Sequence, residues 1–134
     1  MLKTTPRLLL AFSSFLSAVS GAIHAAAFGK ALPAFSTSNL PRLYRGSSKA
    51  LWLEDSAVLF ILAAVFALIA IRPSTATRPV VMLVALIPAV TAVLIYTFLG
   101  NFFAGHFLLA IALPALFAGL QFPSAVGRVT VPAD

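Results

Sequence analysis

The chain has 134 residues, of which 61% are hydrophobic and 9% charged. A soluble domain carries about 25% charged residues, so this chain has too little polar surface to cover a water-soluble globule, and its composition points to an integral membrane protein. Nine Lys and Arg against three Asp and Glu give a net charge of +6, but the basic residues stand singly between apolar runs, which argues against a nucleic-acid interface, and the absence of cysteine excludes disulfides, thiol catalysis and thiolate metal sites.

A membrane-crossing helix needs about 20 mostly apolar residues. Four segments meet that need, at about 8–28, 50–71, 80–99 and 102–122. The expected fold is all-α: a four-helix transmembrane bundle, one domain over 1–134. The first segment competes with a secretory signal peptide, since Lys3 and Arg7 precede an apolar run that ends in Ala25-Ala26-Ala27. Its helical stripe of Ser13, Ser17, Gly21 and His24 is a packing face that a disposable signal does not need. Between the first and second spans, Gly29 to Lys49 contains Pro33, Pro41, Gly46 and the run Ser36-Thr37-Ser38-Asn39, and reads as a long loop, placed as a lid over the bundle mouth.

The second span opens with Trp52, Glu54, Asp55 and Ser56. Apart from Asp134, Glu54 and Asp55 are the only acids in the chain, and a carboxylate at the edge of hydrocarbon is costly enough to mark a functional place. One of the two acids is expected to face the bundle and the other the loop or a neighbouring helix, and Glu54 is favoured for the interior because Leu51, Val58 and Leu59 form its apolar stripe. Arg72-Pro73 and Arg78-Pro79 bracket the next connection, and the third span ends in Tyr96 and Thr97. Tyr96 shares a stripe with Ala85, Ala89 and Ala92. Gly100-Asn101 makes a tight turn, Asn101 is a candidate cap for the fourth helix, and His106 follows one turn in. Pro88 and Pro114 fall in mid-span, where each removes a backbone hydrogen bond.

Alternating helix direction puts His24, Trp52, Glu54, Asp55, Tyr96, Asn101 and His106 at one end of the bundle, within roughly 8 Å of the boundary at 1.5 Å per residue. Counting basic residues sets Lys3, Arg7, Arg72, Arg78 and Arg128 on the side of the termini against Lys30, Arg42, Arg45 and Lys49 opposite, which assigns both termini to the cytoplasm of a multi-pass inner-membrane protein.

Several chemistries fit such an end. The seven polar residues can form a pocket for a small amphipathic or lipid-like ligand. Glu54 and His24 are an acid–base pair for an enzyme acting on a lipid-like substrate. His24, His106 and Glu54 match the ligand types of zinc or non-haem iron, without any short metal motif to support them, and two histidines at one depth can hold a haem. No cofactor is assigned. Against all of these stands a structural or accessory subunit, whose small-residue faces on spans one and three meet a second copy or a membrane partner and whose polar cluster only holds helices together.

The Pro6-Arg7-Leu8-Leu9-Leu10 run, the Gly21-Ala22-Ile23-His24 stretch and the four-span layout resemble the small bacterial DoxX-like membrane proteins, mainly over the first span. The segment Lys49 to Ser56, with its Trp and two acids, resembles part of the sterol-isomerase-like bundles of the emopamil-binding family, which implies acid and His groups that shift a double bond. The span count and most of the sequence depart from that family, so no catalytic role carries over to Glu54 or His24.

Overall fold

The computed structural model describes residues 4–123 and contains four α-helices: α1 (Thr4–Thr37), α2 (Arg42–Ile71), α3 (Arg78–Leu99) and α4 (Phe103–Leu120). All four are long and apolar enough to cross a membrane, and the protein is a small all-α integral membrane protein. Lys3, Arg128 and Asp134 lie outside the described residues.

The helix ends on the side of the termini follow from local chemistry. Pro6 sits in the first turn of α1, where its missing N–H costs nothing. Arg72-Pro73 stops α2 at Ile71, and Arg7 on α1 donates from Nε to the carbonyl of Ala70 at 2.8 Å, satisfying one of the carbonyls orphaned at the α2 C-terminus. Thr77 then leads into α3, with Pro79 in the first turn. Between α3 and α4, Gly100 adopts φ +69°, a left-handed conformation suited to glycine, and its carbonyl accepts from the Phe102 N–H at 2.7 Å. The N-cap of α4 is Phe102, with no side-chain cap, so Asn101 serves the turn and does not cap the helix.

Close packing joins α1 to α2, α1 to α4 and α3 to α4, which puts α1 and α4 at the centre and α2 and α3 at the flanks. Each helix supplies one large, fully buried apolar side chain to a common core: Leu10, Phe66, Val81 and Ile111. Lipid gives helices no hydrophobic reason to associate, so contact rests on close approach and on hydrogen bonds between helices. Ser13 on α1 donates to the Ile111 carbonyl of α4 at 2.8 Å, and Ser14 donates to the Ala63 carbonyl of α2 at 2.7 Å. Gly21 lets α2 approach so closely that a β-carbon there would meet Leu59 Cβ at 3.2 Å. Ser13, Ser17, Gly21, Ala85 and Ala92 are all buried in these contacts. These small residues of spans one and three are therefore used for packing within the fold.

The largest departure from expectation is the connection between the first two spans. The segment 29–49 is not a long loop: α1 continues to Thr37, α2 begins at Arg42, and only residues 38–41 link them. Gly29, Pro33 and Gly46 look like breakers, but each is tolerated. Pro33 falls in the last turns of α1, and the residue four before it, whose carbonyl its ring crowds, is Gly29, which has no Cβ of its own. Tertiary contacts hold the two extensions together. Arg45 Nη1 donates to the Ser36 carbonyl at 3.1 Å, Lys49 Nζ donates to Ser36 Oγ at 3.1 Å, and Phe35 meets Trp52 edge-on at 5.8 Å. The result is a helical hairpin that runs past the ends of α3 and α4. With 34 residues, α1 is about 51 Å long, while α4 with 18 is about 27 Å.

Candidate functional site

The seven candidate residues separate into two pairs, an outward-facing acid pair and one turn residue. At the base of the hairpin, positions 45, 49, 52 and 56 follow one another at spacings of four, three and four, so Arg45, Lys49, Trp52 and Ser56 share the seam of α2 that looks toward α1. His24 on α1 enters this seam. Its ring stacks on Trp52 with centroids 4.5 Å apart and planes 14° from parallel. Trp52 Nε1–H donates to the His24 backbone carbonyl at 2.8 Å. His24 Nδ1 lies 3.0 Å from Ser56 Oγ, and the Ser56 hydroxyl donates back to the Trp52 carbonyl at 3.2 Å. With its own proton given to the Trp52 carbonyl, Ser56 Oγ is left as the acceptor toward His24 Nδ1.

The second pair lies between α3 and α4. Tyr96 and His106 meet edge-on, with centroids 5.5 Å apart. Tyr96 lies over Gly105, whose missing β-carbon makes room for the ring: one built there would sit 2.8 Å from Tyr96 Cε1. His106 and Asn101 are both exposed.

Glu54 and Asp55 are exposed. This corrects the interior placement of Glu54. With Trp52 and Ser56 on the seam, a residue two positions after Trp52 is turned roughly 200° away from it, and Asp55 falls on the flank.

His24 is turned to α2 and His106 to α3, so the two imidazoles do not face each other as haem ligands would. Among the described residues, no three of His, Cys, Asp and Glu come together as a metal site, and His24, Glu54 and His106 are not gathered. A shallow depression on the outer side of α2 is lined by Arg42, Leu43, Gly46, Ser47 and Ala50, none of which is among the seven candidates.

Three participants lie outside the seven candidates, although Ser56 was already placed at the opening of span two. Ser56 is the buried hinge of the His24–Trp52 pair, and Ser36 is the anchor of two cations. The heptad-like spacing from Arg45 to Ser56 was the signal for Ser56. Ser20 carries a buried hydroxyl with no partner among the described residues, one turn below His24, and no sequence signal marks it. Comparison of the chain with family models, with curated proteins and with solved structures returns no match.

Proposed function

We propose that this protein acts by association within the membrane, as an accessory subunit that presents an acidic helix face to a partner. The observation that carries this reading is the division of labour on α2: Trp52 and Ser56 hold His24, while Glu54 and Asp55 point outward from the same helix turn. Carboxylates facing outward at the edge of hydrocarbon are costly unless a cation meets them. A symmetric pairing of α2 with a second copy would set Glu54 against Glu54, so the partner is a different membrane protein with Lys or Arg at that depth.

Placement in a bacterial inner membrane with both termini cytoplasmic belongs to the same proposal. It is supported by Arg7 at the foot of α1 and Arg72 and Arg78 beside it. The DoxX-like layout of the first span fits it too.

A second reading has the same acids receiving the cationic head of a small amphipathic ligand beside Trp52, whose indole suits the boundary between headgroups and hydrocarbon. One experiment separates the two. Native mass spectrometry of protein extracted in mild detergent should show a heavier species carrying a partner protein. The combined Glu54→Gln and Asp55→Asn variant should appear without it. Loss of a small-molecule mass instead would favour the ligand, and identical spectra for both proteins would sink both readings.

A further inference from the structure

Between Phe28 and Leu53 the chain has four basic residues, Lys30, Arg42, Arg45 and Lys49, and no acid. The structure folds this stretch into the outer part of the α1–α2 hairpin and treats its cations unequally. Lys30 and Arg42 are exposed, whereas Arg45 and Lys49 are half-buried along the seam, and both are tied to one residue, Ser36.

Each tie occupies one hydrogen. A guanidinium has five N–H donors and an ammonium three, so most of the donors of both groups remain available at the same spot. Ser36 Oγ uses its own proton on the Leu32 carbonyl at 2.9 Å, so toward Lys49 it is an acceptor. The bonds to Ser36 help to satisfy the last turn of α1, where carbonyls lack helical partners. That role needs one donor and no second positive charge. Two cations bonded to the same residue remain, and among the described residues the nearest acids along the chain, Glu54 and Asp55, are more than a turn farther down α2.

Depth identifies what meets them. The apolar run of α2 begins at Ala50, next to Lys49, and Arg45 lies one turn, about 6 Å, farther out. The headgroup layer occupies about 5–8 Å on each side of the hydrocarbon. Both cations therefore stand at the level of lipid phosphates, with each side chain already bonded to Ser36. A phosphate offers several oxygen acceptors to a guanidinium and an ammonium at once.

We propose that Arg45 and Lys49, anchored on Ser36, form a phosphate-binding site that takes the headgroup of an anionic phospholipid. It is separate from the acidic face of α2 and stands or falls independently of the partner proposed there.

The test is native mass spectrometry of delipidated protein titrated with phosphatidylglycerol, with phosphatidylcholine of the same chains, and with inorganic phosphate. Phosphatidylglycerol adducts should outnumber phosphatidylcholine adducts. The combined Arg45→Gln and Lys49→Gln variant should bind phosphatidylglycerol about thirtyfold more weakly. The combined Lys30→Gln and Arg42→Gln variant, which loses the same charge from the same hairpin, should lose far less, and Lys49→Arg should retain binding. If inorganic phosphate binds as tightly and is lost in the same variant, the site stands and its ligand is a soluble phosphoryl group. Equal losses in the two charge-matched variants, or no preference for phosphatidylglycerol over phosphatidylcholine together with no phosphate binding, would overturn the proposal. Unchanged helical circular dichroism and unchanged emission from Trp52 report that the hairpin is intact in each variant.

Discussion

His24 and Trp52 hold each other twice: the imidazole lies on the indole at 4.5 Å, and the indole N–H donates to the backbone carbonyl of the same histidine at 2.8 Å. The first contact reads the side chain of residue 24, the second only its backbone. Replacing the histidine therefore removes the stack and the bond to Ser56 but leaves the indole bond. His24→Ala should lower stability in micelles by about 1–3 kcal/mol, and Trp52→Phe, which keeps an aromatic face but loses the donor, by about 1 kcal/mol. Denaturant titration followed by circular dichroism measures both. Trp52 is the chain's one tryptophan, so its emission should also change in His24→Ala.

The glycines divide into two groups with opposite expectations. A β-carbon at Gly105 would sit 2.8 Å from the Tyr96 ring, whereas at Gly46 or Gly29 it would meet nothing within 4 Å. Gly105→Ala should destabilise by about 1–3 kcal/mol, because a rigid ring packed between two helices has to move. Gly46→Ala should stabilise by up to about 1 kcal/mol, the helix-propensity difference in an exposed interior position. Thermal unfolding of the two variants should shift in opposite directions, and shifts of the same sign would contradict this packing.

Hydrogen exchange offers a test of the hairpin that does not depend on any substitution. Amides of residues 31–37 and 46–49 should be protected by helical bonds, while those of the link at 38–40 should exchange fast; Pro41 has no amide proton. Uniform fast exchange across 29–49 would restore the loop.

Helix contacts through serine hydroxyls should be worth little singly. Ser13→Ala removes the bond to Ile111 and Ser14→Ala the bond to Ala63, on two different interfaces. Each should cost about 0.6 kcal/mol, the average found between helices in membranes, and the double variant should show the sum. Steric-trap or unfolding measurements in bicelles would show whether the two interfaces are independent.

Span boundaries were legible where a proline or a left-handed glycine interrupts an apolar run: α2 ends at Ile71 before Arg72-Pro73, and α3 at Leu99 before Gly100. The hairpin was illegible because Gly29, Pro33 and Gly46 have low local helix propensity, and what overrides it is tertiary: Phe35 against Trp52 and two cations on Ser36. The site was half legible. Placing seven polar residues at one end followed from alternating helix direction. Which of them touch depends on rotation about each helix axis, and that is set by Trp52 and Ser56 taking the seam of α2. Their choice turns Glu54 outward, which an apolar stripe counted from Glu54 itself does not reveal.

The unequal helix lengths also bear on how the protein sits in the bilayer. Arg7, Arg72 and Arg78 flank one surface of the molecule, and Lys30, Arg42, Arg45 and Lys49 flank the other. Sliding the α1–α2 pair along the membrane normal in either direction would drag one of these sets toward hydrocarbon, at about 2.5–3.5 kcal/mol for each cation that reaches the centre. The molecule is thus riveted between two headgroup layers. Changes in bilayer thickness would be taken up by the short pair α3–α4, which has no cation at the Gly100 end.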